Sequence, residues 1–409
     1  MNAPPSLMSA EMLANPFELY QQLLATSPVF EVPGANITLV LSYDLIAEAT
    51  ARIEEFSNDF QGLLSGLRSE DPEVKAILEQ GWPQVNTLLT ADPPVHTRFR
   101  KLVNLAFSMK RVDAIEAHMR EIVVALIEDI AACGSCDFVR DFAIPLPVQM
   151  ISEQIGIDRA DFATVKRWSD AFADRLGGMI AKERELECAR EVVEFQHAMK
   201  AQIDDRRKAP KDDLLSDLVN ARVEGERPLD DAELLSILQQ LMVAGNETTT
   251  STLAGGLVQL IRNPEQLRKL QADPALIPNA VEEMLRTESP TAGLWRVVTR
   301  DTELGGVPVK QGTMLMLRFA AANRDPKRFE NPDAFDVTRK NARTHLAFGR
   351  GIHMCVGNML SRKEVTVAFQ ELIARVDGFE IADEGALAYP PNMLLRGLSA
   401  LPVRFRRRA

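Results

Sequence analysis

A cysteine in a glycine-rich segment is the residue best suited to chemistry in this 409-residue chain. Residues 348–357 read FGRGIHMCVG, and a predicted helix over 358–368 follows them. The thiolate of Cys355, just before a helix N-terminus, would be stabilised by backbone N–H groups and the helix dipole, and it could bind a soft metal or a haem iron. A glycine-rich turn around a buried structural cysteine would explain the same residues. Both interpretations stay open on these residues alone.

A polar cluster, AGNETT at 244–249, interrupts a long apolar run that opens with a capping-box pair, Asp230 and Glu233. Glycine and threonine cost about 1 and up to about 0.7 kcal/mol relative to alanine inside a helix, so the cluster needs a reason. A threonine hydroxyl can bond a carbonyl one turn earlier and make room for water or dioxygen, and a buried acid can relay protons. A polar surface patch near a helix kink is the alternative.

Two further helical patterns bring charged groups together. Glu283 and Arg286 are three residues apart, and Glu282 competes for the same arginine, so they predict a solvated salt bridge worth about 0.3–0.5 kcal/mol. His96 and Arg100 are four apart beside an apolar stripe and present two donors that could hold a carboxylate. Exposed polar residues would produce the same spacing.

Composition excludes some classes of protein. A formal net charge of -11 leaves no basic excess to face phosphates, which disfavours a nucleic-acid binder. Residues 1–12 contain neither a basic n-region nor a long apolar run, and no apolar stretch elsewhere reaches the ~18 residues of a spanning helix, so we expect a cytoplasmic protein without a membrane anchor. Cys133 and Cys136 form a C-x-x-C without a second ligand pair and predict a turn rather than a zinc or redox site.

The elements that must position these groups are mostly helices. Helix starts are indicated at Asp92, Asn263 and Asp273, each followed by proline. Strand patterns are confined to 37–41, 297–299, 307–309, 314–317 and 399–405. Without repeats or linkers, the chain predicts a mainly α fold with small β-sheets in a single large domain, with a β-containing lobe over roughly 1–90 and a helical core over roughly 91–409.

The cysteine segment matches the pattern F-G-x-G-x-H-x-C-x-G at every fixed position and resembles the haem-binding loop of the cytochrome P-450 family. The resemblance implies the cytochrome P-450 fold and haem b as cofactor. It implies that Cys355 is the axial ligand of the iron and that Phe348 packs near the thiolate. By the same resemblance Gly349 belongs to the cofactor-binding loop and His353 bonds a haem propionate.

The polar cluster resembles the A-G-x-[DE]-T-T signature of the family's helix I. The resemblance implies that Thr248 acts on bound dioxygen and its water, and that Glu247 feeds protons from outside. Thr249 is the less favoured alcohol. Ala244 and Gly245 would line the cofactor on the same helix.

The remaining patterns resemble further parts of this family. Glu283 and Arg286 match its E-x-x-R motif and Arg339 ends a P-x-x-F-x-x-x-R segment, which implies a buried network supporting the cysteine loop. His96 and Arg100, after D-P-P, match a propionate-binding H-x-x-x-R, and Arg296 takes the position of another propionate-binding arginine.

The resemblance implies a monooxygenase that takes two external electrons and inserts one atom of O2 into a hydrophobic small molecule such as a terpenoid, steroid, fatty acid or aromatic. Leu241, Leu294 and Leu395 would contact this substrate, with a loop over 61–89 and a hinge or plain turn at 177–178. Because the chain stops soon after its last predicted strand, we expect electrons from a ferredoxin served by a flavin-dependent reductase. An acidic ferredoxin would dock on a set of cations: Arg98, Lys101, Lys110 and Arg111 along the helix that holds His96, with Arg362 and Lys363 after the cysteine loop.

Two other functions compete with this one. A haem-binding sensor or carrier predicts the cysteine loop without the acid–alcohol pair, and Glu247 and Thr248 count against it. A cysteine hydrolase using Cys355 and His353 needs a base held by a third residue, which a two-residue spacing in a glycine-rich loop does not supply.

Overall fold

Helices dominate the protein in a computed structural model, which describes residues 10–60, 71–157, 162–177 and 180–408. About 56% of the chain is helical and the sheets are small, so the predicted mainly α class is confirmed. None of the helices in these ranges is both long and apolar enough to cross a membrane. The α-helices are α1 (Ala10–Ala14), α2 (Phe17–Thr26), α3 (Tyr43–Ala51), α4 (Pro72–Leu78), α5 (Val95–Ala106), α6 (Met109–Ala114), α7 (Glu116–Ala131), α8 (Pro145–Gln154), α9 (Phe162–Gly177), α10 (Lys182–Lys208), α11 (Leu214–Val219), α12 (Asp231–Arg262), α13 (Pro264–Ala272), α14 (Ile277–Glu288), α15 (Phe319–Ala322) and α16 (Asn358–Arg375).

Short strands form a five-stranded sheet, a three-stranded sheet and a hairpin. The orders are β1-β2-β8-β5-β3, β4-β10-β9 and β6-β7, and all the pairs are antiparallel except β2 with β8. The predicted strand positions are confirmed, whereas β1, β3, β4, β6 and β9 were not expected. The strands are β1 (Val29–Glu31), β2 (Ile37–Val40), β3 (Phe56–Ser57), β4 (Ser135–Asp137), β5 (Leu294–Val298), β6 (Thr302–Leu304), β7 (Val307–Val309), β8 (Met314–Leu317), β9 (Val376–Ile381) and β10 (Pro402–Arg407).

The five-stranded sheet is covered on both faces because successive side chains of a strand point to opposite sides. On β8, Leu315 and Leu317 join a core cluster that includes Ile46 of α3. Met316, between them, joins a second cluster that includes Tyr20 and Leu23 of α2. The apolar run 314–317 is therefore a strand buried on both faces.

The chain divides into two compact units, each built from separate stretches. The first contains Met1–Ser57, Ile115–Leu146 and Glu247–Ala409, and the second contains Asn58–Ala114 and Pro147–Asn246. Every described strand lies in the first unit. The lobes expected at roughly 1–90 and 91–409 stay a prediction.

The longest described helix, α12, begins as its capping box predicts. The backbone N–H of Glu233 donates to Asp230 Oδ1 at 3.0 Å, and the N–H of Asp230 donates to Glu233 Oε2 at 3.0 Å. Further along, the helix packs so closely that a Cβ added at Gly256 would lie 2.7 Å from Met284 Sδ of α14. This fit against α14 explains a glycine inside a helix, where it otherwise costs stability.

Some predicted helix starts differ in detail. The helix expected at Asp92 begins at Val95 with Pro94 as its N-cap residue. Asn263 precedes α13, but its side-chain amide donates back to Gln259 O at 2.8 Å instead of capping. Asp273 does cap, since its Oδ1 accepts from Ala275 N at 3.1 Å.

The C-x-x-C segment is part turn and part strand. Gly134 adopts φ +66°, and Cys136 then lies in β4, which pairs with β10. Burial, followed by the charge of Asp141, raises the pKa of the Cys136 thiol to about 12. Such a thiol stays protonated, which agrees with a structural role.

Candidate functional site

The cysteine loop has a backbone that only glycine can provide at two positions. Gly349 and Gly351 have φ values of +67° and +73°, and a Cβ on Gly351 would lie 2.9 Å from Thr50 O. The Cys355 N–H donates to Phe348 O at 2.9 Å. Asn358, the first residue of α16, donates its side-chain amide to Cys355 O at 2.7 Å. The loop therefore presents a partly buried thiol, not engaged in a disulfide, just before a helix N-terminus.

Aromatic and apolar side chains flank this thiol along the loop. The guanidinium of Arg362 lies 4.4 Å from the ring centroid of Phe348. His353 ends a 3-10 turn, Gly351–His353, and is partly buried. On either side of it, the apolar side chains of Ile352 and Met354 are 39% and 44% exposed.

The AGNETT cluster lies within α12, whose α-helical hydrogen bonding is continuous over Asp231–Arg262. Ala244 is exposed, and a Cβ added at Gly245 would meet no atom within 4 Å, so this stretch of helix borders open space. Glu247 and Thr248 are partly buried. A solvated surface patch is excluded because Thr249 is only 1% exposed.

Two hydroxyls bond back along α12 in the manner expected of a threonine in this cluster. Ser251 Oγ donates to Glu247 O at 2.7 Å, and Thr252 Oγ1 donates to Thr248 O at 2.8 Å. Each donor lies one turn after the acid–alcohol pair. The carbonyl groups of that pair therefore carry side-chain hydrogen bonds in addition to the helical ones.

Glu283, Arg286 and Arg339 form one buried network. Arg286 Nε donates to Glu283 Oε2 at 2.8 Å, and Arg339 Nε donates to Glu283 Oε1 at 2.9 Å. The side chains of Glu283 and Arg286 are 0% exposed, so the solvated salt bridge predicted from spacing alone is wrong. Arg286 Nη1 also donates to Asn323 O and Pro332 O, at 2.8 and 2.6 Å. The helical wheel predicts that water covers this face of α14. Segments that are distant in sequence pack over the face instead and exclude the water.

Glu282 does not compete for Arg286, contrary to what its spacing predicts. Its carboxylate instead lies 3.0 Å from His345 Nε2 and 2.7 Å from Arg362 Nε. Adjacent glutamates on α14 thus serve separate networks. Neither partner of Glu282 was expected from the sequence, because both come from segments more than 60 residues away.

Three of the four residues predicted to bind propionates lie on α5 and β5, and the fourth, His353, lies in the cysteine loop. His96, on α5, is buried, and burial together with the charge of Arg100 lowers its pKa to about 4, so its imidazole is neutral near pH 7. Arg100 is half-buried one turn later. Arg296, on β5, is 3% exposed and donates from Nη1 to Trp295 O at 2.7 Å. Because His96 and Arg296 are buried, the interpretation of these residues as exposed polar side chains is excluded.

Three predicted substrate contacts differ in burial. Leu241 is buried on α12, Leu294 is partly buried at the start of β5, and Leu395 is partly buried where it bridges Thr291. Residues 61–70 of the predicted substrate loop lie outside the described residues. So does Gly178 of the predicted hinge, whereas Gly177 ends α9.

A buried acid on α16 was missed by sequence reasoning. Glu364 is 5% exposed. Burial raises the pKa of its carboxyl group to about 8, although a hydrogen bond with Thr249 has the opposite effect. Ser361, one turn earlier on α16, places its Oγ 3.4 Å from Thr249 Oγ1. The signal available in the sequence was an acid directly followed by Val365 and near Phe369. A charged residue among apolar ones is notable because charged residues are rarely fully buried.

The donor set fits an iron porphyrin better than a metal held by protein ligands alone. Among the described residues, no group of three or more His, Cys, Asp or Glu side chains could hold a metal ion. A single soft thiolate therefore suits a metal that brings its other ligands in a macrocycle. The open space beside Gly245 is compatible with a planar group near α12.

Comparison with known proteins identifies the family. The family model described as Cytochrome P450 matches residues 148–385. The chain is 36% identical to the steroid C26-monooxygenase of Mycobacterium tuberculosis, over 94% of this chain and 92% of that protein. It is 35% identical to the 6-deoxyerythronolide B hydroxylase of Saccharopolyspora erythraea, over 99% of each. The structure of cytochrome P450 CYP109Q5 from Chondromyces apiculatus superposes with a TM-score of 0.86 at 32% identity, covering 98% of each chain.

These matches agree with the geometry of the loop around Cys355. The predicted cytochrome P-450 fold is confirmed by the superposition. Relatives over nearly the whole length are named monooxygenases and hydroxylases, and members of the family bind haem b. The chain belongs to the cytochrome P450 family and is a haem b-dependent monooxygenase.

Proposed function

We propose that the protein inserts one atom of O2 into a hydrophobic small molecule, using two electrons from a separate ferredoxin. When bound, the haem supplies the iron at which dioxygen is reduced. The observation that carries the proposal is the acid–alcohol pair on α12 next to the open stretch at Ala244 and Gly245. A carrier or sensor has no need of a proton-delivering pair at such a place.

Cys355 is the proposed axial ligand. Its position before α16 favours the thiolate, and the hydrogen bonds at its own N–H and C=O hold its backbone in place. Thr248 would hold a water at the reacting oxygen, and Glu247 would deliver protons to it from outside. Both side chains are partly buried, which suits groups that exchange protons between solvent and a closed site.

His96, Arg100, Arg296 and His353 are the proposed propionate donors. A neutral, buried His96 can donate one N–H to a carboxylate, and the guanidinium groups of Arg100 and Arg296 add charge-assisted donors. Glu283, Arg286 and Arg339 would support the cysteine loop from beneath. Their many bonds to backbone carbonyls suit a structural role.

For the substrate we propose a polycyclic or macrocyclic hydrophobic molecule of steroid or macrolide size. The support comes from relatives named for a steroid and for 6-deoxyerythronolide B, and from the solved complex of CYP109E1 from Bacillus megaterium with testosterone. Leu241, Leu294 and Leu395 are the proposed contacts. Uncharged leucines that are buried, like Leu241, or partly buried, like Leu294 and Leu395, suit an apolar ligand.

The electron donor we propose is a ferredoxin served by a flavin-dependent reductase, and we keep a cytoplasmic location as a prediction. The expected basic docking surface needs revision. Lys110 and Arg111 lie on α6, not on the helix of His96, and several of the cations are bound within the chain. The ion pairs are Arg98–Glu233, Lys101–Glu226, Arg111–Asp217, Arg362–Glu282 and Lys363–Glu116.

The ferredoxin contact is better placed on the exposed apolar side chains of the cysteine loop. Ile352 and Met354 flank His353, and Met354 directly precedes Cys355, the proposed ligand of the iron that must be reduced. Exposed large apolar side chains that lie together can mark a protein contact, whereas single ones are common on any surface. Arg350, exposed in the same loop, can add electrostatic attraction to an acidic partner.

The ligand assignment is tested by the reduced carbon-monoxide difference spectrum. We expect the wild type to show the red-shifted Soret band of thiolate ligation and Cys355→Ser to lose it. The reason is that an alcohol does not ionise at neutral pH as a thiol does. Cys188→Ser, at a buried cysteine elsewhere, is the control and should keep the band. A wild type without this band would refute the assignment.

The alcohol assignment is tested by coupling. In Thr248→Ala, reduced nicotinamide should still be consumed by the reconstituted system, but most electrons should emerge as hydrogen peroxide because the proton donor is misplaced. A loss of product per electron of about tenfold or more is expected, the size typical of a general acid–base group. Thr252→Ala, one turn away, is the matched control. Full coupling in Thr248→Ala would overturn the role.

A further inference from the structure

A second buried network, separate from that of Glu283, connects α14 to both sides of the cysteine loop. Its centre is Glu282, which is 7% exposed. Glu282 Oε2 lies 3.0 Å from Nε2 of His345, which is ten residues before Cys355. Glu282 Oε1 accepts from Nε of Arg362 at 2.7 Å, and Arg362 Nη2 lies 3.2 Å from Oε2. One carboxylate thus holds the segment that enters the loop and the helix that leaves it.

The tautomer of His345 follows from its second hydrogen bond. Its Nδ1 accepts from Ala347 N at 3.0 Å, so Nε2 carries the proton and donates to Glu282. Burial lowers the pKa of His345 against the effect of Glu282. Burial also raises the pKa of Glu282, but the bonds from His345 and Arg362 outweigh this and hold it at about 2. The pair is therefore a neutral imidazole donating to a carboxylate.

Both partners of Glu282 contact the residues that hold Cys355. The ring centroids of His345 and Phe348 are 5.7 Å apart, and the guanidinium of Arg362 lies 4.4 Å from the Phe348 centroid. Arg362 Nη1 also donates to Asn358 Oδ1 at 2.7 Å.

Phe348 and Asn358 in turn fix the two peptide groups of Cys355. The carbonyl of Phe348 accepts from the Cys355 N–H, and the amide of Asn358 donates to the Cys355 carbonyl. The backbone of Cys355 is therefore held by two residues that contact the partners of Glu282.

We propose that Glu282, His345 and Arg362 are positioning residues that set the orientation of the Cys355 sulfur through Phe348 and Asn358. This rests on the proposed role of Cys355 as iron ligand. Groups that hold a metal ligand in place alter the strength of the metal bond when they are removed. None of the three side chains is itself proposed as a ligand of the iron.

Two variants test the network. Glu282→Gln keeps the shape and removes the charge that both partners bind. Arg362→Lys keeps the positive charge, so electrostatic attraction to a ferredoxin changes little, but it removes the two-point bond to Glu282 and the flat stacking on Phe348. Arg343→Gln is the matched control. Arg343 also faces this carboxylate, but its side chain is 80% exposed and its Nε lies 3.9 Å from Glu282 Oε1, beyond hydrogen-bond distance.

The first measurement is the rate at which the reduced carbon-monoxide complex loses its thiolate-type Soret band in moderate urea. We expect an increase of about tenfold or more in Arg362→Lys and Glu282→Gln, the range found when supporting residues of metal ligands are changed. Arg343→Gln should match the wild type. The second is the iron–sulfur stretching band in resonance Raman spectra of the folded holoprotein, which should shift or broaden in both test variants.

The outcomes separate the two claims. A wild type without the thiolate band defeats the haem-ligand assignment. A wild type with the band and test variants that match it in both measurements overturns the positioning role. Lower urea midpoints with an unchanged iron–sulfur band also overturn it, since they show only general stabilisation. Should Glu282→Gln fail to fold, Arg362→Lys decides the question alone.

Discussion

At the scale of single residues, the surroundings decide how each ionisable group behaves. Neither Cys136 nor Cys355 is in a disulfide, but Cys136 lies in a strand with its pKa raised to about 12 and Cys355 lies just before a helix. The adjacent acids Glu282 and Glu283 join different networks. Glu364 is a third case, since it is buried with Thr249 as its hydrogen-bond partner and lacks a cationic one in the described part of the chain.

Replacement of Glu364 by glutamine should change how stability depends on pH. The folded-state pKa of about 8 is above the usual 4.5, so the native protein holds a proton that the unfolded chain releases between these values. The wild type should therefore lose stability as pH rises from 4.5 toward 8, by up to about 1.4 kcal/mol per pH unit. Glu364→Gln lacks this dependence. Urea unfolding of the holoproteins at pH 5, 6.5 and 8 measures it.

A matched control for this pH effect is Glu371→Gln on the same helix, where the carboxylate contacts Arg120 and Arg375. This variant removes a carboxylate bound by two arginines instead of the buried acid beside Thr249. The difference in its free energy of unfolding from the wild type should be the same at pH 5, 6.5 and 8. If the stability difference between Glu364→Gln and the wild type is the same at all three pH values, Glu364 is ionised in the native protein and the prediction is wrong.

At the scale of elements, the cysteine loop and α12 depend on glycine for different reasons. In the loop, Gly351 provides a left-handed backbone and also lies against the carbonyl of Thr50. In α12, Gly256 makes room for Met284, whereas Gly245 borders open space. The room beside Gly245 suits the haem of the proposed function.

Gly351→Ala should destabilise the loop by more than the cost of placing alanine in a left-handed backbone. The new Cβ would lie 2.9 Å from Thr50 O, and a backbone carbonyl cannot turn aside as a flexible side chain can. Gly306→Ala is the control, with φ +80° and no atom within 4 Å of the added Cβ. We expect Gly351→Ala to lose about 1–3 kcal/mol more in urea unfolding and to bind less haem. Equal losses would mean that the loop yields without strain.

At the scale of the whole molecule, charge is mostly balanced internally. The net charge is -11, yet many of the cations that could attract an acidic partner are bound to carboxylates of the same chain. Paired charges produce weaker fields than isolated ones of the same number. A partner that docks at the cysteine loop must therefore gain much of its affinity from apolar contact there.

Met354→Asp should weaken ferredoxin binding more than the same change elsewhere on the surface. Met354 is 44% exposed in the cysteine loop, and Val307, 38% exposed on β7, provides the control variant Val307→Asp. We expect the KM for ferredoxin to rise about tenfold in Met354→Asp and little in Val307→Asp, since a central apolar contact is worth over 1 kcal/mol. Steady-state kinetics with a fixed reductase measures it. Similar KM values for both variants would place the contact elsewhere.

The sequence by itself determined the features that depend on neighbouring residues. The capping box of Asp230 and Glu233 and the helical spacing of Arg286 are settled within a few residues, and so is the turn that requires Gly351. Spacing along one helix or one loop carries over directly into structure, which is why the cysteine loop could be placed before α16. The family resemblance rested on the same local patterns.

Tertiary structure alone decided which of these groups are buried and with which partner. A helical wheel placed Glu283 and Arg286 in water, but Asn323, Pro332 and Arg339 close over them. It also left cations such as Arg111 available to a partner that the fold instead pairs with Asp217. Burial and pairing depend here on residues between 37 and 106 positions apart. The pattern of neighbouring residues does not specify which distant segment will pack against them.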